Sequence, residues 1–339
     1  MPKPFTDRAR RCFSVIGIAL TAMMLFYIGA QYLAMIIMRL YLADYLSPQW
    51  MVWILSFVPL YLIGVPTFAL IVRRIPVEFP PERKKMSVGA WFVTLIMCFG
   101  VMYIGAYIGN IVMALVNTAT GNDAQNALSE LLQRSSPLIN FAVTVVVAPI
   151  VEEMIFRRAI INRTLPYGER TSIIFSALMF GLFHGNLYQF FYAFGLGMLL
   201  AFIYVRTGRV WYTIPLHMAI NLVGGVIAPF LLGKVDLDKI NSLAERMSAA
   251  AGNVTSSVLE GVTPSEVGWI MLLGLYSLFY SGISIAGVVL LIVKRKKFYL
   301  KPTGEREIPR SHIGSIVYYN VGVFAAIVGG LVLMVLSLR

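Results

Sequence analysis

Apolar runs of about 20 residues follow one another along almost the whole chain, and this constrains the fold more than any other feature. A helix rising 1.5 Å per residue needs about that length to cross a hydrocarbon core of about 30 Å. The pattern predicts nine spans: Cys12–Met38, Trp50–Val72, Val88–Val116, Leu138–Ile161, a fifth that starts near Thr171 and carries His184, Leu187–Tyr204, Trp211–Leu232, Gly268–Val293 and Ile313–Leu338. The composition agrees. Of 339 residues, 58% are hydrophobic and only 13% charged, with a mean hydropathy of +0.77. An ordinary soluble domain is about 25% charged. The expected fold is an all-α polytopic membrane helix bundle, with no soluble domain and no internal repeat.

The formal net charge of +12 would suit a nucleic-acid binder, but its distribution argues otherwise. Basic residues fall in short loops beside the apolar runs. With nine spans and the N-terminus inside, 22 of the 28 Lys and Arg lie on inside segments. That is the positive-inside pattern. It predicts an integral membrane protein with a cytoplasmic N-terminus and an extracytoplasmic C-terminus, in the cell membrane if the host is bacterial. It also predicts membrane lipid and no nucleic acid as a partner; no signal of an oligomeric state is present. Cys12 and Cys98 both sit in apolar runs, where they read as packing residues rather than a disulfide framework. The first apolar run is too long for a signal peptide and lacks a clear small-residue cleavage site, so it reads as a retained span.

Three regions follow from this layout: residues 1–136 with three spans, 137–232 with four, and 233–339 with an extracytoplasmic loop and two spans. The polar loop Asn117–Ser136 has room for one short surface helix. The stretch LDKINSLAERMSAA in the loop after span 7 has helical periodicity. Asn253-Val254-Thr255 fits a glycosylation sequon, a motif common by chance. His312 lies in a basic loop and reads as solvated.

The chemistry is concentrated in spans 4, 5 and 7. Span 4 contains the adjacent carboxylates Glu152 and Glu153, followed by Arg157. An ionisable side chain at the centre of a membrane helix costs about 2.5–3.5 kcal/mol on insertion scales, so such a cluster points to function. Glu153 and Arg157 are four residues apart and can pair on one face. Glu152 points about 100° away and has no partner at helical spacing. It is therefore expected to face the reaction centre. Pro149 just before it frees a backbone carbonyl and bends the helix. Span 5 places Phe180 and His184 on one face, and span 7 does the same for His217 and Asn221. A carboxylate, two imidazoles and an amide suit activation of water and stabilisation of a tetrahedral oxyanion. They also suit a Zn²⁺ held by His184, His217 and Glu152 with an open position.

Glu152-Glu153-Met154-Ile155-Phe156-Arg157 reads EExxxR, Phe180 to His184 reads FxxxH, and His217 to Asn221 reads HxxxN. This ordered trio on three apolar runs resembles the CPBP family of intramembrane proteases, which includes CAAX prenyl proteases and bacteriocin-processing proteins. The resemblance covers about Pro137–Leu232. It implies that Glu152 and His184 activate water, that His217 and Asn221 stabilise the oxyanion, and that Glu153, Arg157 and Phe180 support the site. It implies an endopeptidase, usually described as a metalloprotease, acting on a membrane-associated peptide or protein that is prenylated or carries a leader. A metal-free glutamate mechanism fits the same residues. The site would be reached from the cytoplasmic side. Two rivals are a non-catalytic scaffold of the same fold that regulates a membrane partner, and a transporter with a proton-coupled carboxylate. A scaffold has no need to keep Glu152, His184 and His217 together, and a transporter of the inverted-repeat kind would show related halves.

One geometric difficulty follows. His184 lies about 20 Å of helix beyond Thr171, whereas Glu152 is much nearer the end of span 4 placed at Ile161. The two meet only if span 5 starts below the membrane surface or is strongly tilted.

Overall fold

The computed structural model describes residues 3–42, 44, 48–121, 124, 126–249, 261–302 and 307–338. The all-α membrane bundle expected from the apolar runs is what the chain forms, with no strand among the described residues. In chain order the helices are α1 Lys3–Tyr41, α2 Met51–Val72, α3 Val88–Thr120, the short α4 Ala127–Arg134, α5 Pro137–Tyr167, α6 Glu169–Phe183, α7 Leu187–Thr207, α8 Val210–Leu232, the surface helix α9 Leu237–Ala249, α10 Pro264–Val293 and α11 Val321–Leu336. The two short helices expected in the polar loops are α4 and α9. The Asn253 sequon lies outside the described residues.

The span count differs from nine. Seven of these helices are long and apolar enough to cross a membrane. An eighth forms if the bent pair Arg310–Tyr318 and Val321–Leu336 is one span; the two pieces meet at 76°. The fifth expected span is α6, whose 15 residues extend about 22 Å, short of the hydrocarbon core. Periodicity could not show this, because the run from Thr171 stays largely apolar until it ends early at His184.

Helices α5, α6, α7 and α8 form the centre. On one flank α3 packs along α7 and carries α10 on its outer side; on the other, α1 carries α2 and α11. The flanking contacts are backbone to backbone. A Cβ at Gly100 would meet the main chain of Gly287, and one at Gly17 would meet that of Gly322. Small residues at such crossings let apolar helices approach closely where no hydrophobic force draws them together.

The helices are locally widened at several places. Residues Phe141–Val147 and Val223–Ile227 are π-helical, and each stretch ends two residues before a proline, Pro149 and Pro229. A proline has no N–H to return to the preceding turn, so the helix there is free to open. A third widened stretch, Glu153–Ile161, begins at the second carboxylate.

The basic loops gather on one face of the bundle. Arg8 pairs with Glu78 at 3.5 Å. Lys84 N donates to Thr207 O, Lys301 N donates to Glu169 Oε2, and Ile308 N donates to Tyr167 O. Arg206 forms a two-pronged bond to Glu169, at 2.8 and 2.9 Å. That last contact joins the start of α6 to the end of α7. The pair therefore returns the chain to its starting side, and the sidedness of the flanking loops does not depend on how far α6 penetrates.

Candidate active site

A tight α5–α6 reversal aligns the first two motifs. It turns on Gly168, whose φ of 122° is a conformation that a residue with a side chain rarely adopts. Glu152 and His184 lie sixteen residues to either side of this turn, and Phe156 and Phe180 lie twelve to either side. Equal arms of an antiparallel helix pair end at the same depth. Phe156 and Phe180 are in edge-to-face contact with ring centroids 5.1 Å apart. The geometric difficulty is thereby resolved. Helix α5 runs on to Tyr167 instead of stopping at Ile161, so both arms are long. The carboxylates sit about 22 Å of helix from the basic face.

The two carboxylates have different surroundings. Glu153 is wholly buried. Its Oε1 lies 3.1 Å from His217 Nδ1, and its Oε2 lies 3.2 Å from Arg157 Nε. Glu152 keeps 27% of its side chain exposed, and its Oε2 lies 3.6 Å from His217 Nε2. That separation is too long for a direct hydrogen bond, so both atoms are left able to bond a water beside them. Glu152 thus has a partner after all, from a helix 65 residues further on, which spacing within span 4 could not reveal.

Hydrogen-bond logic fixes how the imidazoles are presented. His184 Nδ1 is 2.7 Å from Phe180 O, and a carbonyl can only accept, so this nitrogen carries the proton. Nε2 of a neutral His184 is then a lone-pair acceptor. His217 Nδ1 donates in the same way to the Glu153 carboxylate. The Phe180 ring, 1% exposed, lies edge-on to both imidazoles, with centroids 4.8 Å from His184 and 5.7 Å from His217. Its face lies 4.5 Å from the Arg157 guanidinium carbon. Phe180 is therefore the wedge that spaces the site's rings and covers its cation.

Arg157 is fully buried, and among the described residues none of its three guanidinium nitrogens has a hydrogen-bond partner. The contact with Glu153 is an ion pair out of hydrogen-bond alignment. Bare buried donors of this kind are ordinarily served by internal water.

Asn221 lies one turn beyond His217 and donates through Nδ2 to Thr144 O at 2.8 Å. That bond uses one of the amide's two N–H groups and fixes the orientation of the other. Thr144 is in the widened part of α5, where its carbonyl is released from regular helix bonding. Sequence reasoning missed Thr144, a polar residue within a run of valines. It also missed Thr213, a fully buried hydroxyl near Glu153 that donates to Val210 O at 3.2 Å. The signal for Thr213 was present: it stands four residues before His217, on the same face. Tyr61 of α2 and Tyr192 of α7 are electrostatic neighbours of Glu152 that the motifs do not mark.

The donor types suit Zn²⁺, and each imidazole has the outer partner that metal-bound histidines use. Among the described residues, however, no three His, Cys, Asp or Glu side chains converge closely enough to ligate one ion.

Residues 134–223 match the family described as "Type II CAAX prenyl endopeptidase Rce1-like". A protein of Bacillus subtilis (strain 168) named "Putative membrane peptidase YdiL" is 29% identical over 157 residues, which is 45% of this chain. The aligned part spans 62% of that relative's length. No solved structure gives a significant match. All three motifs fall inside the matched segment, which is similar to that family.

Proposed function

We propose that the protein is an intramembrane endopeptidase, and that it hydrolyses a peptide bond in a membrane-associated substrate bearing a prenyl group or a leader. The observation that carries this reading is the asymmetry of the carboxylates. Glu153 is sealed against Arg157 and His217, while Glu152 stays partly open with one oxygen 3.6 Å from an imidazole nitrogen.

In this mechanism Glu152 takes one proton of a water molecule while the lone pair of His184 Nε2 accepts a hydrogen bond from the other and orients it. The resulting hydroxide attacks the peptide carbonyl carbon. The oxygen of that carbonyl becomes an oxyanion, which accepts from the remaining Asn221 N–H and from Nε2–H of a protonated His217. Glu153 stabilises that imidazolium through Nδ1. A protonated His217 also balances the site, with two carboxylates against one imidazolium and one guanidinium, which lowers the cost of charge at this depth. The proton held by Glu152 then passes to the leaving amine, and the C–N bond breaks. Bound Zn²⁺ would supply Lewis-acid activation of the same water. Because the described donors do not converge on one ion, no step is derived through it.

The N-terminus and the basic face are placed in the cytoplasm in this reading. The test is proteolysis by purified protein, with prenylated CAAX peptides and leader peptides as substrates and a chelator in parallel. Loss of cleavage in both Glu152→Ala and His184→Ala supports the assignment. Cleavage that survives both substitutions overturns it. Cleavage by the wild type that is lost with the chelator and restored by Zn²⁺ would move the water onto a metal.

A further inference from the structure

We propose that an arginine-lined pocket on the basic face binds the phosphate head group of an anionic membrane lipid. The cavity holds about 250 Å³ and lies between α1, the chain just after α2, and the end of α5. Arg8 and Arg11 enter it from α1, Arg74 from beyond α2 and Arg163 from α5. Glu78 is the one carboxylate in the lining. Four guanidinium groups face one carboxylate, so the lining carries a formal charge of +3.

Topology alone does not call for this arrangement. Holding a loop on one side of the membrane requires cations on that side, not cations drawn into one concavity. Glu78 pairs with Arg8 at 3.5 Å and offsets one charge, and repulsion among the other cations disfavours their convergence unless a further anion sits among them. Arg163 is also half-buried and already oriented. Its Nε donates to Val72 O at 3.1 Å and Ile75 O at 2.9 Å, and its Nη1 donates to Ala159 O at 2.9 Å. The planar fork of arginine matches phosphate oxygens in pairs.

Position selects a lipid over free phosphate. The pocket collects the ends of three membrane-crossing helices, so it lies at the level where head groups sit. Val77 and Phe79 next to it are 41% and 52% exposed, an apolar surface on which acyl chains can continue. Basic pockets between membrane helices on the cytoplasmic side are where anionic head groups are held.

The test uses the full chain in detergent. Binding of short-chain phosphatidylglycerol is read as a saturable rise in unfolding midpoint, alongside short-chain phosphatidylcholine and inorganic phosphate at matched concentrations. The wild type is expected to respond to phosphatidylglycerol alone. Arg11→Gln with Arg74→Gln removes two exposed side chains, and the midpoint without lipid checks that this variant is folded. Its apparent affinity is expected to fall about 30-fold, from about 1 kcal/mol per arginine near the surface. Arg295→Gln with Lys296→Gln, on the same face but outside the pocket, is expected to leave affinity unchanged. Equal loss in both pairs of substitutions, no loss in the pocket pair, or an equal response to inorganic phosphate would each overturn the proposal.

Discussion

The centre of the bundle and its outer flank are held together by opposite means. Between α5, α6 and α8 aromatic packing is joined by ionic and hydrogen-bonded contacts, with Glu153, Arg157 and His217 all buried. Between α3 and α10 they are glycine against backbone, at Gly100 and Gly287, and α10 turns most of its surface outward. In lipid neither arrangement gains from the hydrophobic effect as it would in water, because the surroundings are already apolar. Close packing suffices where only adhesion is needed. Buried charge, which is costly, is confined to the place where a reaction can use it.

This contrast can be broken at several points. The largest effect is expected from Glu152→Ala, which should lower the cleavage rate by about 10²–10⁴-fold, the range for loss of a general base, while the unfolding midpoint barely moves. Kinetics and a melting curve on the same preparation check both halves. Arg157→Met strands the Glu153 carboxylate and should cost about 3–5 kcal/mol of stability. Chemical unfolding in detergent measures it, and a small change would mean that His217 alone suffices to hold Glu153. Asn221→Ala removes one donor and should slow turnover about 10²–10³-fold with substrate binding preserved, read as kcat against KM. The smallest effect, about 1–3 kcal/mol by overpacking, is expected from Gly287→Val. Activity per folded molecule should remain, and a fall in it would show that the flank shapes the site after all.

Much of this was legible in the chain. Apolar length gave the helices, and four-residue spacing paired Glu153 with Arg157 and set His217 beside Asn221. Spacing reports which residues share a face, however, and not what that face meets. The contacts of Glu152 with His217, and of Asn221 with Thr144 O, join helices far apart in sequence. The early end of α6 and the 76° bend before α11 were hidden for another reason. Both fall at short polar breaks, His184-Gly185-Asn186 and Tyr318-Tyr319-Asn320, which are too brief to interrupt a hydropathy window of span length. Pro149 did announce that its helix opens, but not that it opens by widening.

The equal arms on either side of Gly168 make the α5–α6 hairpin a ruler for its own active site. One residue added to a single arm would rotate Glu152 or His184 by about 100° and slide it about 1.5 Å past its partner. Matched additions of a whole turn in both arms would carry the pair to a new depth with its geometry kept. Chain length in this segment can therefore drift only in step, and depth in the bilayer can change without redesign of the site.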